Sequence, residues 1–308
     1  MTLSEFGGVF SRYFVIGFFA PAFFAAALLS QLLDQDFFPS SYQLASPAAQ
    51  LAVLGAVALL IGLILSGLHY HVTRLFEGYP LSRLRGNKLV ARIHNRLLLR
   101  WEREFDGRTG ALSGEPSSDR TRAALELNRC FPARRTDLLP TRFGNAVRSF
   151  ETHGRVRYGL DGISAWPRIS LLLSDSERDQ VTDAQTDVAM FLNLGLVVLG
   201  SVATLTVDRI WHEPTVPAAV AQIGIAWAVG LGAYWGCYRA ATAAAMRWGS
   251  PIRAAYDMHR LDFYNGLGLI EPQTQSEEEA VARAANRLLL FGEPIPDGLR
   301  RNGAKEAT

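Results

Sequence analysis

The stretch from Leu51 to Arg103 constrains this chain most. Between Gln50 and Val72 there is no formal charge, and the core LAVLGAVALLIGLILSGL is too long and too apolar for an ordinary buried helix. A bilayer accommodates such a run, because a helix closes its own backbone hydrogen bonds where no water can. Directly after it come Arg74, Arg83, Arg85, Lys88, Arg92, Arg96, Arg100 and Arg103, against only Glu77 and Glu102. An excess of Lys and Arg next to a span marks the cytoplasmic side, so an orientation follows.

Three further blocks share the pattern. A first span lies between Arg12 and Asp34; it carries Phe14, Phe18, Phe19, Phe23 and Phe24, and Pro21 predicts a bend near Gly17 to Pro21 by leaving a carbonyl without its donor. Its apolar run exceeds the h-region of a cleaved signal peptide, so it is expected to stay in the mature protein. The connection from Asp34 to Gln50 has acids and no Lys or Arg, as an outside loop should. Span three is the charge-free interval from Val188 to Val207, and DRIWHEP links it to span four, Pro214 to Tyr238. Arg239, Arg247, Arg253 and Arg260 then return the chain to the cytoplasm.

The expectation is an all-α protein of the inner (plasma) membrane: four transmembrane helices in a 2+2 arrangement, a mainly helical cytoplasmic domain, and both termini cytoplasmic. Its segments are a first hairpin (1–73), a cytoplasmic domain and stalk (74–187), a second hairpin (188–238), C-terminal cytoplasmic helices (239–292) and a disordered tail (293–308). A hydrophobic content of 49% averages the apolar blocks with Arg-rich segments. The net charge of +2 is too small to argue for nucleic acid. Cys130 and Cys237 provide neither a disulfide framework nor a zinc spacing, and both read as reduced.

Within the aqueous part, Leu89, Ile93, Leu97 and Trp101 recur every fourth residue beside Lys88, Arg92, Arg96 and Arg100. That pattern suits a helix at the headgroup layer and equally one packed on its own domain. Residues 106–118 read as a Gly and Ser-rich loop, with helices at about 119–130 and 141–152. Ser174 with Glu177 reads as a capping box opening a helix that continues through span three as a stalk. Pro251 is expected to open a helix ending near Gly266 or Gly268, and Ser276 with Glu279 to open the last one, closing at Gly292.

Chemistry inside a membrane usually needs ionisable groups there, and the four span cores contain none. His69 and His71 fall on different faces of one helix and read as interface residues, with no metal-ligand spacing around them. No phosphate-binding loop or nucleophile elbow is present, and no cofactor or metal is expected. What remains is a polar constellation of Arg142, Asn145, Arg148, Glu151, Arg157, Tyr158, Asp161, Trp166 and Arg168. Arg157, Asp161 and Arg168 are expected to pair with one another, Trp166 to anchor the interface and Pro167 to open a short amphipathic helix. In span four, Gly224, Ala228, Gly232 and Gly236 form a small-residue stripe expected to pack on span three, with Gln222 bonding near Ser201 and Thr204.

The segments TRFGNAVRSFE, RYGLDGISAWPR and YDMHRLDFYNGL resemble those of uncharacterised bacterial integral membrane proteins with the same 2+2 plan. The resemblance implies a membrane protein with a cytoplasmic helical domain and implies no activity. The leading function is therefore a non-enzymatic inner-membrane protein with a cytoplasmic interaction or sensing module. Its partners would be the lipid bilayer and either a protein or a second copy of the chain. One alternative is a homo-oligomeric ion channel with one pore-lining span per subunit. Another is an enzyme acting on a lipid or lipid-linked substrate at the inner interface, for which Glu151 and Asp161 are the suggestive carboxylates.

Overall fold

A computed structural model describes residues 11–32, 46–83, 86–110, 112, 118–212 and 217–301. Among these the protein is all-helical. It has four helices long and apolar enough to cross a membrane by length and composition. The order is α1 (Arg12–Phe14), a π-helical turn (Val15–Phe19), α2 (Ala20–Leu32), α3 (Pro47–Glu77), α4 (Tyr79–Arg83), α5 (Lys88–Gly110), α6 (Ser118–Cys130), α7 (Arg142–Glu151), α8 (His153–Tyr158), α9 (Gly162–Leu172), α10 (Asp175–His212), α11 (Pro217–Gly266) and α12 (Gln275–Phe291). Short 3-10 turns at Arg135–Asp137 and Asp297–Leu299 complete it. The chain divides into two compact units, one formed by Met1–Phe76 with Asp183–Ala244, the other by Glu77–Thr182 with Ala245–Thr308.

In the first unit a π turn lies beside Pro21, where the sequence predicts a bend. Proline has no N–H to offer the Gly17 carbonyl, and the helix responds by widening to a π turn over Val15–Phe19. The freed carbonyl is taken by Asn193 of α10, whose Nδ2 donates to Gly17 O at 2.8 Å from a fully buried position. A carbonyl stranded in an apolar core costs a full desolvation penalty, so one amide on another helix resolves the proline defect. Gly17 also lets the two segments close up, because a Cβ there would sit 3.2 Å from Ala189 Cβ. Phe14, Phe18 and Ala189 form the buried centre of this contact, and Gly62 of α3 comes close to the Phe19 backbone. Asp208, one position beyond the charge-free interval, is buried with His212 Nδ1 3.5 Å away.

The small-residue stripe of α11 does not pack as expected. Among the described residues nothing lies within 4 Å of a Cβ added at Gly224, Gly232 or Gly236, and Gln222 and Ala228 are exposed with them. The hydroxyls meant for Gln222 are spent on their own helix, Ser201 on Val197 O and Thr204 on Gly200 O. The face that meets α10 is the adjacent one: Gly230 is buried and its added Cβ would lie 2.6 Å from Val202 Cγ2, while Trp227 Nε1 donates to Thr206 Oγ1. Gly195 likewise admits the Tyr234 ring. Gly230→Leu is therefore expected to lower stability by about 2–3 kcal/mol through overpacking. Gly232→Leu should stay within roughly 0.5 kcal/mol of the parent. Thermal unfolding of the two variants in mild detergent checks the order, and the reverse order would restore the stripe as the contact.

The second unit is built around α7, where Phe143, Ala146, Val147 and Phe150 are buried together with Gly144, Asn145 and Ser149. Thr141 caps it by accepting from Gly144 N. Trp101, Phe105, Cys130, Phe131 and Leu138 form a second apolar cluster against which Leu98, Leu127 and Met246 pack. The helix of residues 88–110 runs five residues into the segment expected as a loop, and α6 starts at Ser118; 111 and 113–117 lie outside the described residues. Pro251 does not open a helix but sits inside α11, and Pro167 sits inside α9. The last helix begins two residues earlier than expected, with Thr274 and Glu277 forming the capping box, and Gly292 closes it in the left-handed region. The segment after it is held as far as Arg301, whose N–H bonds Gly268 O, while Ile270 N bonds Leu299 O; 302–308 are not described.

The start of α10 matches the sequence reading. Ser174 N donates to Glu177 Oε2 at 2.8 Å and Glu177 N returns to Ser174 Oγ, so the box closes both ways. His259 Nε2 adds a contact to Glu177 Oε1 at 3.1 Å. Bonds from Ser174, then from His259, hold the Glu177 carboxyl down at about 2. A carboxyl whose folded pKa is depressed contributes stability above its unfolded value of about 4.3 and loses it as pH falls toward the folded value. The gap in thermal midpoint between the parent and Glu177→Gln should therefore be open at neutral pH and close between roughly pH 4.5 and 2. A gap that does not change with pH would separate the carboxylate from the cap.

Candidate functional site

The second unit contains a cleft of about 470 Å³ lined by Asn128, Ala133, Ser149, Thr152, His153, Val156, Arg157, Tyr158 and Asp257. Its polar wall comes from α8 facing the stretch of α11 from Ala245 onward. α8 ends at Gly159, whose φ of 78° carries the chain through a left-handed turn that glycine adopts without penalty. Leu160 N then bonds Gly154 O, and α12 clamps the turn: Asn286 Nδ2 donates to Gly159 O and Asn286 Oδ1 accepts from Asp161 N. Gly154 is required on the other side, since an added Cβ would meet the Tyr256 ring at 2.6 Å.

At the centre, Asp257 Oδ1 accepts from Tyr158 OH at 2.6 Å and faces His153 Nε2 at 2.8 Å. Burial pushes the Tyr158 phenol up, and its hydrogen bond to the Asp257 carboxylate pushes it further, so it stays a donor. Burial also raises Asp257, but the bonds from His153 and Tyr158 with the nearby Arg157 charge outweigh it and bring the carboxyl below its usual value. The Arg260 guanidinium lies 4.5 Å above the Tyr158 ring and donates its Nε to Glu278 at 2.7 Å, which fixes the tyrosine from behind. Arg253, one turn before Asp257, is buried; its Nη1 reaches Ser149 Oγ at 3.3 Å and Asn128 O at 3.5 Å, both cleft-lining residues. Burial pushes its pKa down and the neighbouring Arg129 adds to that, against a smaller opposing pull from the Asp257 carboxylate, so a buried cation stands behind the wall.

This arrangement can bind. The two aliphatic cleft hydroxyls are committed to backbone, Ser149 donating to Ala146 O at 2.7 Å and Thr152 to Arg148 O at 2.8 Å. Burial raises the Cys130 thiol, away from the reactive thiolate. Among the described residues no group of His, Cys, Asp and Glu is arranged to hold a metal ion.

Of the residues singled out in sequence, Arg157 and Tyr158 line the cleft. The others are placed elsewhere. Asn145 is fully buried and pairs with Leu139, accepting from its N–H at 2.7 Å and donating to its carbonyl at 3.0 Å. Glu151 is exposed and joined to Arg148, whose pairing is within one helix; Arg142 opens α7 within electrostatic reach of Cys130. Asp161 is the N-cap of α9, accepting from Ile163 N and Ser164 N, while Arg168 donates to Ser164 O. The expected ion triad of Arg157, Asp161 and Arg168 is therefore replaced by a cap and a backbone contact. Trp166 packs at 6.0 Å on Tyr256. Since asparagine caps nearly as well as aspartate, Asp161→Asn should be almost neutral, and Asp161→Ala should cost about 1 kcal/mol in thermal or chemical unfolding. Equal losses for the two would point back to a charge role.

His153, Asp257, Arg260 and Glu278 were missed. Asp257 and Arg260 lie in YDMHRLDFYNGL, and Arg253, Asp257 and Arg260 share one face at helical spacing, which is the signal that was available. His69 packs edge-on to Tyr13 and Phe18, whereas His71 is exposed beside Tyr70. Compared with known proteins, the chain matches no family model, no curated protein and no solved structure.

Proposed function

We propose that this is a non-enzymatic, multi-pass inner-membrane protein in a 2+2 arrangement, with both termini and the second unit in the cytoplasm, where that unit serves as a sensing module. The observation that carries the reading is the cleft at Asp257. Its central Asp257 carboxylate is engaged by His153 and Tyr158 and its Ser149 and Thr152 hydroxyls by backbone, while the Arg157 edge and the Arg253 charge behind the wall favour a ligand bearing carboxylate or phosphate. The basic excess after spans two and four supports the orientation.

The test has two parts. Cysteine labelling in intact cells should reach Trp211→Cys, which is exposed at the end of α10, and should miss Leu125→Cys, exposed on α6, until the membrane is opened. The full chain isolated in nanodiscs should retain a small anionic molecule in native mass spectrometry, and Arg157→Gln with Tyr158→Phe should lose it while unfolding normally. Retention unchanged by those substitutions, or labelling from the opposite side, would end the reading.

The outward stripe of Gly224, Gly232 and Gly236 favours a second reading, self-association into a channel, because such a face permits close backbone approach between subunits. Gly232→Leu should then reduce an assembly in mild detergent to monomer and abolish currents in planar bilayers. A monomeric parent excludes it.

A further inference from the structure

We propose that the outward face of α5 is a docking surface for anionic lipid headgroups. The inward face of this helix is marked by His94, Trp101 and Phe105, all buried. Trp101 anchors it through Nε1 to Pro140 O at 3.0 Å. On the opposite face Lys88, Arg92, Arg96, Arg100 and Arg103 are all exposed, and among the described residues none of them reaches a carboxylate. The acids on the helix are already engaged, Glu102 and Asp106 by Arg135 and Glu104 by Arg108. Leu89, Ile93 and Leu99 stand among the cations, 63%, 43% and 49% exposed. A folded domain that needed this face only for solubility would mix both signs of charge along it. Cations interleaved with aliphatic side chains instead match a surface that is anionic above and apolar just beneath.

Position in the chain selects a lipid surface over an acidic protein or a nucleic acid. Only residues 78–87 separate the end of α3 from the start of α5, a reach of at most about 35 Å even if fully extended. The inference rests on the reading that α3 spans a bilayer. A face tethered at that distance meets headgroups at high effective concentration, so weak contacts of about fivefold per cation accumulate without a second partner.

Hydrogen exchange on the full chain tests it. The protein is placed in nanodiscs of phosphatidylcholine alone and of phosphatidylcholine with phosphatidylglycerol at roughly 3:1, and amides of residues 88–100 are compared with those of α12. Exchange of 88–100 should slow at least several-fold in the anionic discs only. The protection should vanish in about 1 M salt, where screening acts within about 3 Å, and should be absent when the five cations are replaced by glutamine; α12 should not respond. Equal exchange in the two discs overturns the proposal. So does protection already present in lipid-free detergent, which would put the face against protein. Failure of the chain to enter either disc would overturn the spanning reading along with it.

Discussion

Asn145→Ala should cost about 2–4 kcal/mol, because it strands two backbone groups at once. The side chain of Asn145 is fully buried on α7 and closes a two-way bond with Leu139, holding the segment before the helix at six residues' separation. Its removal leaves the Leu139 N–H and carbonyl without their side-chain partner in a half-buried segment next to the buried Leu138. Asn145→Asp should be nearly as damaging, since a carboxylate can accept from the N–H but would repel the carbonyl. Denaturant unfolding of the full chain in mild detergent reads both. A midpoint unchanged in Asn145→Ala with loss of a bound molecule would instead make the residue part of a binding site.

What could be read from sequence was what depends on neighbours along the chain. Length and apolarity identified four long helices, a missing N–H at Pro21 predicted a local irregularity, and the Ser174–Glu177 pair sat three residues apart as a capping box must. Where two local solutions compete, the sequence is silent. Thr274 and Ser276 both precede a glutamate by three, and only the fold selects the first. Pro251 suits a first helical position as well as an interior one, and the long α11 carries it inside. The stripe at Gly224, Gly232 and Gly236 permits close approach, but the partner decides, and Val202 meets Gly230 instead. The cleft depends on pairings of still longer range. His153 and Tyr158 reach Asp257 across about a hundred residues, so no window of sequence contains the site: Ser149, the Arg157 and Tyr158 edge, and Asp257 fall in three separate conspicuous segments that only the fold brings together.

Gly144→Ala is the second change expected to be severe, and its cost lies in the backbone it would strike. A Cβ at this position would lie 2.6 Å from Glu77 O and 3.1 Å from Glu77 Cα, with Thr141 Oγ1 at 2.9 Å. No rotamer relieves a contact with main chain, so either α7 or the turn at Gly78 must move. That turn has little freedom: Gly78 is left-handed at φ 89° and already packs against Pro140 and Thr141. Moving α7 instead would pull Gly144 N from the Thr141 hydroxyl that caps it at 3.0 Å. Overpacking of about 1–3 kcal/mol with a cap worth about 1 kcal/mol gives an expected loss near 3 kcal/mol. Gly107→Ala supplies the contrast, because it lies in the last turn of α5 with nothing within 4 Å among the described residues and should gain up to about 0.5–1 kcal/mol from helix propensity alone. Thermal midpoints that move in opposite directions for these two alanines would locate the rigid point of the second unit at the Glu77–Gly144 contact, and midpoints that move together would refute it.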